Sequence, residues 1–119
     1  MGNLVFKICS HTAWHAAEAT GRFSGAPVDV ADGYIHLSTA AQVGETALKH
    51  FAGQSDLVLI AVDTSLLGSA LQWEPSRGGD LFPHLYDALP VAAVSWVRRL
   101  PIGADGKHAF PDLSTGDAP

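Results

Sequence analysis

Cysteine is almost missing from this chain, and basic residues are few. Cys9 stands alone among 119 residues, which excludes a disulfide framework and a thiolate zinc cluster. Seven lysines and arginines face twelve aspartates and glutamates, a formal net charge of -5. Only Arg98 and Arg99 stand together. So acidic a chain, with its bases scattered, lacks the patch that displaces counterions from nucleic acid or an anionic membrane. Neither is expected as a partner. No apolar run approaches membrane-spanning length. The start, Met-Gly-Asn-Leu-Val-Phe-Lys, has neither the apolar core nor the small-residue cleavage pattern of a secretion signal, so a cytoplasmic protein is expected. There is no internal repeat, no Gly-x-Gly-x-x-Gly or Walker loop and no Gly-x-Ser-x-Gly elbow. Those absences speak against a doubly wound nucleotide fold and a serine nucleophile. Cys9 has no base near it in sequence.

What is present is the composition of a folded chain, 47% hydrophobic and 16% charged, with enough apolar surface for a core. One domain is expected over residues 1–113, with a frayed tail over 114–119. Residues 4–9 alternate loosely and read as a first strand. Ser10 or Thr12 then caps a helix near 11–19 that stops at Gly21. Residues 21–33 read as a long connection with turn chemistry at both ends. Residues 34–38 read as a short strand that sends Ile35 and Leu37 one way and Tyr34, His36 and Ser38 the other. Thr39-Ala40-Ala41-Gln42 has the form of a capping box. It opens a helix over about 40–52 with Val43, Ala47, Leu48 and Phe51 on one face. Residues 56–63 form an unbroken apolar run, the pattern of a central strand buried on both faces. Another strand begins over 70–74 and a last one spans 91–97, with Phe110 an aromatic anchor beyond it. The order predicts an α+β fold with two early helices.

Chemically capable side chains are densest over residues 73–86, Trp-Glu-Pro-Ser-Arg-Gly-Gly-Asp-Leu-Phe-Pro-His-Leu-Tyr. Pro75, Gly78, Gly79 and Pro83 punctuate the stretch, which therefore reads as a loop held at its ends by Trp73 and Tyr86. Loops on a rigid scaffold carry much of protein function. Glu74 beside Trp73 is expected to be partly desolvated, which raises a carboxyl pKa and suits acid–base work. Pairing with Arg77 is the alternative. Arg77-Gly78-Gly79 lets the backbone approach an anion that the guanidinium clamps, or forms a plain turn. His36 is either a site residue or a core imidazole satisfied by the backbone. His84, between Pro83 and Leu85, is harder to explain by packing, and Tyr86 shares its surroundings. His36, His84 and Glu74 are of zinc- or iron-binding type, but no local spacing sets them. His11 and His15 stand one turn apart with no further ligand in reach. No metal is expected.

Two stretches resemble the signature of a known family. Asp32-Gly33-Tyr34-Ile35-His36-Leu37-Ser38-Thr39, followed by Gln42, is one. Trp73-Glu74-Pro75-Ser76-Arg77 with Gly79, followed by Phe82-Pro83-His84-Leu85-Tyr86, is the other. Together they look like domain of unknown function 952, an uncharacterised bacterial family, and the resemblance runs from about Val5 to Val97. That family is similar in layout to the ADP-ribosyltransferase fold, a split β-sandwich that grips NAD. The resemblance implies a small nucleotide ligand, NAD as substrate, and transfer or hydrolysis of ADP-ribose. It matches Phe6-Lys7-Ile8 to the strand whose His or Arg holds the nicotinamide ribose. It matches residues 33–38 to a helix-opening motif and Glu74 to the catalytic glutamate. On this reading Glu74 and His36 are catalytic, while Lys7, Ser38, Arg77, His84 and Tyr86 bind the ligand. Two other readings stay open. One is a non-catalytic small-ligand or anion-binding module in the same pocket. The other is a protein–protein interaction domain with Trp73, Phe82 and Tyr86 as an exposed aromatic patch. Oligomeric state is left open.

Overall fold

The computed structural model describes residues 3–113; the tail expected to fray over 114–119 lies outside them. Strands β1 (Leu4–Ser10), β4 (Leu57–Asp63) and β8 (Val94–Arg99) form an antiparallel sheet with β4 in the middle. The unbroken apolar run is this central strand, buried from Leu57 to Val62. Its alternating side chains feed two cores. Val58, Ile60 and Val62 join Val5 and Cys9 on one face; Leu57, Leu59 and Ala61 join Phe6 and Ile8 on the other. Helix α1 (His11–Thr20) covers the first face through Trp14 and Ala17. Helix α3 (Val43–His50) covers the second through Val43 and Ala47, where Phe110 also packs.

A second antiparallel sheet runs β3 (Ile35–His36), β6 (Asp80–Leu85), β5 (Leu71–Ser76), and a two-residue pair joins β2 (Arg22–Phe23) to β7 (Leu89–Pro90). Ile35 and Leu85 put the apolar side of the second sheet into the first core. The two larger sheets are tied where Phe6 meets Ser38, each N–H donating to the other's carbonyl at 2.7 and 2.9 Å. Beyond that bridge no further pairing joins β1 to the second sheet among the described residues, and the two sheets part there. The architecture is mixed α+β with antiparallel sheets and few helices, as the element order predicts.

Several local expectations give way to tertiary structure. Residues 73–86 are a hairpin, not a loop: β5 and β6 pair in register from Leu71–Leu85 to Ser76–Asp80. Prolines fit because the ladders beside them are incomplete. Pro75 is on the edge strand, and Pro83, whose carbonyl accepts from the Leu37 N–H at 3.0 Å, lies past the two paired residues of β3. Residues 21–33 are not simply a connection. They hold β2 and a third early helix, α2 (Pro27–Asp32), which starts at a proline preset for helical φ and ends at Gly33 with φ 88°. The expected strand over 34–38 shortens to Ile35–His36. Helix α3 starts later than its cap pattern suggests, and Leu48 is 52% exposed. Half of the expected box is present, since Gln42 Oε1 accepts from the Thr39 N–H at 3.0 Å. The amide of Gln42 also donates to the Leu81 carbonyl at 2.8 Å, tying the start of α3 to the hairpin. Val91–Ala93 form a 3-10 turn, so the last strand begins at Val94.

The glycines on either side of α2 give a test of how tightly it is seated. A Cβ at Gly33 meets nothing within 4 Å, so Gly33→Ala should cost only the left-handed backbone penalty, about 1 kcal/mol. At Gly25, with φ 114°, a Cβ would fall 2.9 Å from the Asp29 Cβ, adding a clash and bringing the loss to roughly 2–4 kcal/mol. Urea unfolding should rank wild type above Gly33→Ala and Gly33→Ala above Gly25→Ala. Equal midpoints for the two variants would mean α2 yields freely.

Candidate functional site

A buried aspartate gathers three elements where the sheets part. Asp29, on α2, is 2% exposed. Its Oδ1 accepts from the His36 backbone N–H at 3.0 Å, from His36 Nδ1–H at 2.7 Å and from Lys7 Nζ at 3.0 Å. Its Oδ2 accepts from the Ala26 N–H at 2.7 Å and lies 2.8 Å from Lys7 Nζ. Burial pushes this carboxyl up, but the His36 hydrogen bond and the Lys7 charge together outweigh it and hold Asp29 well below the usual range. The other nitrogen of His36, Nε2, lies 2.9 Å from Oδ2 of Asp32. Both ring nitrogens thus face carboxylate oxygens, which can only accept.

The hairpin builds the other half of the site. Residues 72, 74 and 76 share a face with 84, 82 and 80 across the β5–β6 ladder, so Glu74 and His84 are diagonal neighbours. His84 Nδ1–H donates to Glu74 Oε1 at 2.8 Å, and the Tyr86 hydroxyl donates to the same oxygen at 2.7 Å. The bonds from Tyr86 and His84 outweigh desolvation and hold the Glu74 carboxyl below its ordinary value. This reverses the rise expected from Trp73, because strand alternation turns Trp73 to the opposite face. Donation to Glu74 in turn pushes the Tyr86 hydroxyl up to about 12. Tyr34 joins the two halves, its ring centroid 4.1 Å from that of His84, 4.7 Å from His36 and 5.2 Å from Tyr86. With its Nδ1 donating to a carboxylate, neutral His84 carries its lone pair on Nε2.

A cavity of about 680 Å³ opens beside the bridge between the sheets, with Lys7, Tyr34, His36, Ser38, Phe82 and His84 in its wall. Four of the residues singled out from the sequence therefore line one space: Lys7, His36, Ser38 and His84. Lys7 is engaged by Asp29, and the Ser38 hydroxyl shares a hydrogen bond with that of Thr46 at 2.9 Å. Glu74 and Tyr86 connect to the space through His84 and Tyr34. Arg77 lies in the turn that closes the hairpin. Asp29, Asp32 and Tyr34 were not among the sequence candidates. A proline followed two residues later by an acid marks a helix start in 27–29, which was the signal for Asp29. Tyr34 stood in the polar row with His36 and Ser38 without a role.

The exposed patch of three aromatics does not form, since Phe82 is 7% exposed and faces the cavity. Burial pushes the Cys9 thiol up to about 11, with Lys7 opposing and Asp29 adding to it, so its thiolate is scarce at neutral pH. The His11 and His15 rings stack at 6.2 Å on α1. Among the described residues no group of three or more His, Cys, Asp or Glu side chains is placed to hold a metal ion. No helix among them is long and apolar enough to cross a membrane.

The family model described as a protein of unknown function (DUF952) matches residues 8–97. The chain is also similar to solved structures of protein CC0527 from Caulobacter crescentus. The X-ray structure is 51% identical over 90% of this chain and 94% of that one, with a TM-score of 0.87. The solution NMR structure is 53% identical over 87% and 90%, with a TM-score of 0.79. No curated protein matches the sequence.

Removing the Asp29 carboxylate should be severe. Asp29→Ala leaves the Lys7 ammonium buried without its counter-charge, a loss of about 3–5 kcal/mol. Because the folded-state pKa of Asp29 is depressed, its contribution is complete above the unfolded-chain value of about 4 and is lost as pH falls below it. Urea midpoints measured from pH 7 to pH 3 should fall in the wild type and fall less steeply in Asp29→Asn. Parallel curves would show that Asp29 does not carry the acid sensitivity.

Proposed function

The chain belongs to the DUF952 family, and we propose that its cleft takes NAD or a related nucleotide within an ADP-ribosyltransferase-like layout, with the Glu74–His84 pair moving the proton when ADP-ribose is released or transferred. The observation that carries this reading is the pair itself: an imidazole in a cavity wall, fixed at Nδ1 by a carboxylate at 2.8 Å. That arrangement leaves Nε2 to accept a proton, the task of a general base. The size of the cavity supports the reading, because about 680 Å³ lies within the roughly 300–1,000 Å³ of small-molecule and cofactor sites. Two sheets that part beside a single bridge are in keeping with a split sandwich around its ligand.

In the hydrolytic form of the reaction, a water oxygen bonds to the anomeric carbon of the nicotinamide ribose. The carbon–nitrogen bond breaks, and its electron pair returns to the nicotinamide nitrogen and neutralises the charge there. His84 Nε2 takes the proton of the water and passes it to solvent. In transfer, a nucleophile of an acceptor molecule replaces the water. Glu74 stabilises the imidazolium that forms, and Tyr86 keeps Glu74 in place from the other side. His36, bonded at both nitrogens, to Asp29 at 2.7 Å and Asp32 at 2.9 Å, holds the wall of the site in place.

A thermal-shift titration with NAD, ADP-ribose and nicotinamide tests binding. A ligand at a hundred times its dissociation constant adds about 2.7 kcal/mol, which moves the melting point of a domain this size by several degrees. Glu74→Gln should keep the shift and lower turnover by about 10²- to 10⁴-fold. No shift with any of the three ligands would sink the nucleotide reading. A shift without turnover, indifferent to Glu74→Gln, would leave a binding module.

A further inference from the structure

The charge lining the cavity is opposite in sign to that of the chain as a whole. Counting lysine and arginine against aspartate and glutamate, two ammonium groups, Lys7 and Lys49, lie in the wall against one carboxylate, Asp32, although acids outnumber lysines and arginines twelve to seven in the chain. That one carboxylate is the partner of His36 Nε2, at 2.9 Å. The two ends of the His36 ring are held very differently. At Nδ1 stands Asp29, with its side chain 1% exposed and several other donors upon it. At Nε2 stands Asp32, with its side chain 47% exposed at the last position of α2. The first carboxylate cannot leave without stranding Lys7. The second is a solvent-exposed ion-pair partner, a class of interaction that water and salt weaken.

We propose that His36 Nε2 is an anion subsite for a phosphate group, and that Asp32 occupies it until the phosphate of a ligand takes its place. A phosphate oxygen accepts from an imidazole N–H as a carboxylate does, and the group carries up to about two negative charges at neutral pH. Lys49 adds positive charge in the same wall, because its pairing with Glu45 at 3.0 Å is a surface contact on α3 that a phosphate can outcompete. Asp29 pre-orients the ring, so the exchange needs movement of only one exposed side chain. The subsite rests on the nucleotide reading for the source of the phosphate, since inorganic pyrophosphate offers the same oxygens.

The test is calorimetric titration of inorganic pyrophosphate and of ADP-ribose into wild type, Asp32→Ala and the double variant Asp32→Ala with His36→Gln. Removing the competing carboxylate should tighten pyrophosphate by about threefold or more, taking an exposed pair as the competitor, and the double variant should lose that gain. In ¹⁵N imidazole spectra of the wild type, which need no variant to fold, pyrophosphate should shift the His36 Nε2 resonance. Unchanged or weaker binding by Asp32→Ala, a gain that survives loss of His36, or a silent Nε2 resonance would each overturn the subsite. The two readings fail separately. Tightened pyrophosphate with no binding of ADP-ribose or NAD keeps the subsite and removes the nucleotide. Nucleotide binding with no gain from Asp32→Ala removes the subsite and keeps the nucleotide.

Discussion

A carboxylate that cannot reach water decides where three segments of this chain meet. Burying Asp29 is tolerable only with its charge opposed and its oxygens satisfied. The donors come from far apart: Lys7 from β1, the Ala26 N–H from the start of its own helix, and His36 from β3. Each donor needs the aspartate as much as the aspartate needs it. The result pins α2 over the line where the sheets part and spends the ammonium of Lys7 on structure. A lysine that the sequence offers as a ligand contact is therefore first a counter-ion.

Strand register then sets two histidines side by side in different electrostatic company. His36 and His84 are direct partners across β3 and β6, with ring centroids 5.8 Å apart. One ring lies between two carboxylates; the other has a carboxylate at Nδ1 alone. Environment, not residue type, separates a ring held at both nitrogens from one held at Nδ1 alone. Tyr34 packs against both and joins the two halves of the site by ring contact.

Legibility followed the range of the interactions. The central strand was plain because an unbroken apolar run is a local signal, and α1 was plain because Ser10 and Gly21 bracket it in sequence. The hairpin was not. Pro75 and Pro83 argue against strand until the edge position of β5 and the shortness of β3 remove the ladder partners they would have spoiled. The site was half legible for the same reason. Glu74, His84 and Tyr86 lie close enough in sequence to be read as a group, and His36 stood out in a polar row. Asp29 did not, since an acid after a proline looks like turn chemistry until Lys7 is known to be buried beside it.

By itself the sequence determined the α+β class, the central strand, two of the three early helices and the two stretches whose side chains furnish the cleft, because periodicity, caps and local chemistry act over a few residues. Only the tertiary structure decided what those side chains are bonded to. It gave Lys7 to Asp29, lowered Glu74 where its neighbour Trp73 suggested a rise, and placed Asp32 on His36. Burial and cross-strand register set those pairings, and both depend on residues distant in the chain.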